Sequence, residues 1–310
     1  MDFRFTDDQL LLAEGVRDYL AGTHGPEVLR RLDADGNRDP AIWQGLVEMG
    51  LPGLLVPEAH GGMGMQLIDA LPIAIECGRA CLAEPLVDTA FVEVPWLLRN
   101  GETARLAEIA AGTRKAALEH VVNPWVADGD GTPLQSVDPL RNLGYAPNRS
   151  SADPYLLDLA ALMSAAQLVG LAEAMLAQAV EYAKLRTQFG QPIGAFQAVK
   201  HQLANCSVAI EFARPVLLRA TMALQAGDPA ASCHVSHAKV AATDAAILTG
   251  ETAIQVHGAM GYTYEVDLHF WMKRSWALAG AWGSRGFHLQ RLDQAVIGGS
   301  LPIGPEHTFS

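Results

Sequence analysis

Arg186, Gln188 and Phe189 lie within one four-residue span, and each brings a different way of holding a planar, phosphorylated molecule. A guanidinium offers several N–H donors in a fixed fork that suits phosphate oxygens, a Gln amide both donates and accepts, and a Phe ring stacks on a flat ring. They belong to the stretch YAKLRTQFGQPIGAFQ, residues 182–197, where Gly190, Gln191 and Pro192 punctuate a cationic turn. Taken alone, the cluster equally fits a surface arginine and a core phenylalanine in a helical hairpin.

The elements around it explain how such a cluster would be positioned. Leu168, Leu171, Met175 and Tyr182 recur at roughly helical spacing, so residues 163–185 read as an amphipathic helix ending at the Gly-X-Pro break, with Arg186 at its end. Near the N-terminus, Thr6 is a good N-cap with Gln9 three residues on, as in a capping box. Further helices are expected over 40–49, 66–79, 87–99 and 103–111. The character changes over 114–152, which holds four Pro and three Gly, with short apolar runs such as 116–122 that could be strands. Helical patterns return over 152–186, 196–225, 229–257 and 268–291, and Pro215 predicts a kink or break in the second of these. The tail from Gly298 is Gly/Pro-rich and is expected to be loosely held.

Composition narrows the partners. At 310 residues, half of them apolar, the chain can bury one large core or two modest ones. A net charge of -12 argues against nucleic acid and anionic membranes. Charges and glycines interrupt every apolar stretch, so no membrane span is expected, and the acidic start MDFRFTDDQ lacks the basic and apolar regions of a signal peptide. A cytoplasmic protein is the expectation. Cys77, Cys81, Cys206 and Cys233 sit in apolar helical patterns and read as free, mostly buried thiols, with no metal site.

The stretch 182–197 resembles the YAxxRxxFGxPIxxFQ signature of the acyl-CoA dehydrogenase family, which links two long helices and reaches the FAD of a neighbouring subunit. Two further blocks support the resemblance. FTDDQLLLAEGVRDYL (residues 5–20) and WQGLVEMGLPGLLVPEAHGGMGM (residues 43–65) resemble the family's opening helix and its Gly-rich turn, and QVHGAMGYTYE (residues 255–265) resembles its QxxGGxGY loop. The resemblance implies a mainly α fold with an N-terminal helical domain, a middle β-domain and a C-terminal four-helix domain. It also implies that Arg186, Gln188, Phe189 and Gln197, with Gln255, Gly258 and Gly261, face the dinucleotide of FAD.

The chain departs from that pattern twice. Its middle spans only residues 113–152 and carries no TEPxxGSD-like segment, so the β-domain is largely missing; residues 135–146 resemble its far edge. The expected organisation is therefore 1–112, a helical domain; 113–152, a β-domain remnant; and 153–310, a four-helix domain. The second departure concerns the base. The family's reaction removes a proton beside the thioester and a hydride from the next carbon, which requires a carboxylate held across the substrate from the flavin. Aligned without gaps from Gln255, the place of that Glu falls on Trp282, and indole cannot act as a base. Some members use a Glu on the preceding long helix; the matching position is Ala160, and Asp158, the nearest acid, lies about 200° around the helix. Glu265, His257, His269 and His288 are weaker candidates. Trp282 reads either as a plug in an unused acyl pocket or as a core aromatic.

What the resemblance leaves is one half of a cofactor site. It implies a subunit of an FAD-dependent acyl-CoA dehydrogenase complex, α2β2 with a homologous full-length dehydrogenase. That partner would bind most of the acyl-CoA and supply the Glu, and the substrate class would be an acyl-CoA such as a steroid side-chain thioester. The rival expectations are a self-sufficient homo-oligomeric dehydrogenase or oxidase with an unrecognised base, and a non-enzymatic scaffold of the same fold.

Overall fold

The computed structural model describes residues 4–116, 118–123, 125–127, 132–145, 151–302 and 304. The N-terminal helices start where the local chemistry allows. Helix α1 (Asp7–Thr23) opens on the expected capping box: Gln9 N–H donates to Thr6 Oγ1 at 3.3 Å, and Thr6 N–H donates to the Gln9 side chain at 2.9 Å. Helix α2 (Pro26–Asp35), which the periodicity reading passes over, is bounded by Pro26 at its start and by Gly36 in the left-handed region at its end. Then follow α3 (Pro40–Glu48) and α4 (Leu67–Arg79). The single helix expected over 87–99 is instead a π-helical turn, Val87–Glu93, running into α5 (Val94–Arg99), and a short α6 (Leu106–Ala110) ends this region.

The shortened middle holds a small antiparallel sheet of β1 (Trp125–Ala127), β2 (Thr132–Pro133) and β3 (Leu143–Tyr145), in the order β1-β3-β2 with Trp125 opposite Tyr145. The strand considered for 116–122 does not form among the described residues. Ala116 N–H is taken by Thr89 Oγ1 at 2.9 Å, and His120 makes isolated bridges to Asn123 and Ser151 in place of a ladder.

The C-terminal bundle is α7 (Pro154–Leu185), α8 (Gln197–Ala226), α9 (Ala231–His257) and α10 (Leu268–Gly280), with α11 (Arg285–Val296) folded onto α9. Helix α7 is central, touching α4, α8, α9 and α10. From Leu156 to Met175 it is buried on every face except at half-buried Gln167, so it is a core helix rather than the amphipathic one its spacing suggests. By length and composition it could cross a bilayer, but 83% of its most apolar window is buried inside the protein. Pro215 does not interrupt α8; it and Glu211 both lie on the exposed face, where water can satisfy the freed carbonyl. The helix expected over 268–291 is two helices, because Trp282 and Gly283 take φ values of 57° and 102° and Ser284 caps a new start.

Helices α4 and α7 cross at bare backbone. A Cβ on Gly78 would strike the Gln167 carbonyl and one on Gly170 the Ile75 carbonyl, so both positions require glycine. Buried carboxylates lock the same junction: Arg17 donates twice to Glu76, at 3.0 and 2.8 Å, while Arg79 and Arg214 both engage Glu173. The four cysteines are free, Cys233 half-buried and the others buried. The described part of the tail is better held than its composition suggests, with Leu301 N–H bonded to Ala295 O at 3.0 Å; residues 303 and 305–310 lie outside the described residues.

Candidate functional site

At the end of α7 the backbone of Arg186 leaves the helical region, while its N–H still donates to Tyr182 O at 2.8 Å. The chain then makes a minimal hairpin, β4 (Thr187–Gln188) against β5 (Gln191–Pro192), closed by Ile193 N–H on Arg186 O at 2.8 Å. The two tip residues, Phe189 and Gly190, have φ of 52° and 80°, the pattern of a type I′ turn. Glycine suits that conformation and phenylalanine does not, at a cost of about 1 kcal/mol. The strain holds an aromatic ring away from the protein: Phe189 is 92% exposed, its ring meeting Phe196 edge-on at 6.1 Å between centroids. Arg186, Gln188 and Gln197 are exposed beside it, and among the described residues Arg186 has no ion-pair partner.

The second block arrives at the same end. Helix α9 runs alongside α7 and finishes at His257, whose ring stacks on Tyr182 at 4.2 Å and 28°. Gln255 is exposed on its last turn. Gly258 follows with φ 61° and ψ −137°, a conformation that favours glycine, and open space lies where its Cβ would be. Gly261 is buried, and a Cβ there would come within 2.7 Å of Ile254 O, so its small size serves the turn's own packing. The structure thus brings Arg186, Gln188, Phe189, Gln197, Gln255 and Gly258 to one exposed end of the bundle.

The position where a base is sought looks quite different. Trp282 is 5% exposed, its N–H donating to Asn123 Oδ1 at 3.0 Å and its carbonyl accepting from His288 Nε2 at 3.0 Å. His288 is itself buried between that carbonyl and Ser236 Oγ, at 3.1 Å, and burial pushes its pKa down to about 3, with the nearby Lys239 lowering it further. Lys239 is fully buried and donates to Leu278 O; desolvation brings it down to about 7. The His120 ring, from the shortened middle, lies 6.5 Å from Trp282. Sequence reasoning missed this clasp between residues 120–123 and the Trp282 turn, which no spacing signal could disclose.

The other candidates are occupied or misplaced for proton abstraction. Ala160 is buried in α7. Asp158 is held by Ser232 and by Arg291 at 2.8 Å. Glu265 lies on an exposed turn, open to water. His269 packs between Tyr264 and Phe270, its pKa lowered by burial, and His257 is committed to Ala253 O at 2.7 Å. Among the described residues no group of three metal-ligating side chains occurs.

A helical N-terminal region and a four-helix bundle around a small β-element define an acyl-CoA dehydrogenase-like fold. Residues 6–110 match the acyl-CoA dehydrogenase N-terminal domain and residues 154–297 the acyl-CoA dehydrogenase C-terminal domain; the chain belongs to the acyl-CoA dehydrogenase family. It is 34% identical to acyl-CoA dehydrogenase IpdE2 of Mycobacterium tuberculosis (strain ATCC 25618 / H37Rv), over 94% of this chain and 98% of that one. Among solved structures, the ChsE4–ChsE5 complex from Mycobacterium tuberculosis has a TM-score of 0.84 at 22% identity, covering 98% of this chain and 100% of that one. A Tcur3481–Tcur3483 steroid ACAD variant has a TM-score of 0.80 at 24% identity, over 95% and 99% of the two chains. These two structures share the fold.

Proposed function

We propose that this chain is the base-less subunit of a heteromeric, FAD-dependent acyl-CoA dehydrogenase. A homologous full-length subunit, in an α2β2 assembly, holds the flavin ring and most of the acyl-CoA and supplies the catalytic carboxylate. The complex oxidises an acyl-CoA to the 2,3-enoyl-CoA. The observation that carries this reading is Phe189, a bulky ring kept at positive φ and 92% exposed beside Arg186, which has no ion-pair partner among the described residues. A strained, solvent-facing aromatic is costly unless something covers it. The ChsE4–ChsE5 complex and the Tcur3481–Tcur3483 steroid enzyme, each named for two chains, support a two-subunit assembly and a steroid side-chain thioester as substrate class.

The residues present fit the AMP side of FAD and do not fit the ring side. Arg186 offers its guanidinium fork to the pyrophosphate, Gln188 and Gln197 add amide groups, Phe189 packs on the adenosine, and the open space at Gly258 lets backbone approach. When bound, the flavin supplies the hydride acceptor. Trp282 fills the base position, and its buried contacts leave this chain without a carboxylate there. In this reading residues 1–112 and 153–310 are helical domains, 113–152 is a β-domain remnant that closes over Trp282 instead of opening a pocket, and the complex works in the cytoplasm.

Purification of the chain by itself tests the assignment. A colourless protein that reduces no electron acceptor with acyl-CoA is expected; a yellow protein that does so would establish the self-sufficient alternative.

A further inference from the structure

We infer that His257 is a positioning residue: through its stack on Tyr182 it sets the spacing between the Arg186 hairpin and the Gly258 turn. The inference rests on the shared-FAD reading above. The two loops come from helices that are separate in sequence, and among the described residues no hydrogen bond or ion pair joins residues 186–197 to 255–265. The ring pair links them, with centroids 4.2 Å apart and planes at 28°.

Each ring is one step from a candidate binding residue. Tyr182 accepts the Arg186 N–H on its own carbonyl at 2.8 Å, so the ring and the guanidinium-bearing residue share one helical turn. His257 immediately precedes Gly258, at the point where the chain leaves α9. The imidazole is not free to turn. A backbone carbonyl can only accept, so the 2.7 Å contact to Ala253 O places the proton on Nδ1 and fixes the ring plane against Tyr182. A stack whose imidazole is held to α9 by Ala253 transmits any slip of α9 along α7 into the distance between Arg186 and Gly258. Two loops that must contact one dinucleotide tolerate little such error.

The test uses the co-expressed complex with its full-length partner, stripped of flavin and titrated with FAD. His257→Leu and Tyr182→Leu should each weaken FAD binding about three- to tenfold, the range an aromatic pair is worth. The double variant should be no weaker than about the single ones, since both remove the same contact. His257→Phe, which keeps a stackable ring and loses the bond to Ala253, should stay within about twofold of the natural chain, the result expected where the stack sets the spacing. Additive losses, or FAD affinity unchanged in both leucine variants while Arg186→Ala lowers it, would overturn the inference and leave the shared site standing. Unchanged affinity in Arg186→Ala would instead overturn the shared site and, with it, this inference.

Discussion

The two ends of helix α9 are built on opposite principles. Near its start, Ser236 and Lys239 help clasp the Trp282 turn, where every polar backbone group of Trp282 has a buried partner and little reaches water. Roughly 30 Å along the helix, by its 1.5 Å rise per residue, the chain instead leaves Arg186, Gln188, Phe189 and Gln197 uncovered. In the sealed region side chains satisfy one another. In the open one they face solvent. A subunit that has closed its reaction pocket and retained an exposed cofactor-facing end would look like this.

Substitutions should therefore separate into two kinds. The largest effect is expected at Asp138→Ala, in the shortened middle, which strands the fully buried Arg274 of α10 that Asp138 neutralises. Removing one partner of a buried ion pair costs about 3–5 kcal/mol, so urea melts of the purified chain should show a loss of that size. FAD affinity in whatever complex still assembles should be little changed. Arg186→Ala should do the reverse. Loss of its charge-assisted bonds should weaken FAD binding to the complex about ten- to hundredfold, while the melting temperature of the free chain stays put. If Arg186→Ala lowers stability as much as it lowers affinity, the distinction between the two regions fails.

Acid should act through buried histidines, His288 of the sealed region first. His288 has its pKa lowered to about 3 in the folded chain, against an ordinary 6.5 when unfolded. Between those values the unfolded chain takes up a proton that the folded one does not, so the stability contributed by neutral His288 is present above pH 6.5 and is lost as pH falls toward 3. The expected loss is about 2 kcal/mol from pH 6.5 to 5, at about 1.4 kcal/mol per unit. His24, also brought down by burial to about 4, adds to the same slope. His288→Gln should flatten the pH dependence by about one proton in denaturant titrations; an unchanged slope would mean that His288 is not held neutral.

The smallest effect has the most diagnostic sign. Phe189→Gly relieves a positive φ and should stabilise the free chain by about 0.5–1 kcal/mol. The same change should weaken FAD binding to the complex several-fold. A residue that is bad for the fold and good for the ligand marks a binding site.

The open region was far more legible in the sequence than the sealed one. Arg186 and Phe189 announce themselves through a contiguous motif, and the Gly-X-Pro break places them at a helix end, because local chemistry alone dictates where a helix stops. Thr6 and Gln9 were readable for the same reason. The clasp on Trp282 joins Asn123, Ser236, Lys239 and His288 across long sequence distances, and its turn was hidden inside what periodicity reads as one helix. Ser284 as N-cap and Gly283 before it were the available signals. Pro215, where a kink or a break is expected, leaves α8 unbroken, with the freed Glu211 carbonyl on the exposed face.

The most direct measurement is the number of flavins in the complex purified from co-expression with a full-length dehydrogenase partner. One FAD for each pair of unlike chains, with none on this chain alone, is the result expected if Arg186 and its neighbours serve a cofactor whose ring belongs to another subunit. Two per pair, or one retained by this chain by itself, would contradict the account.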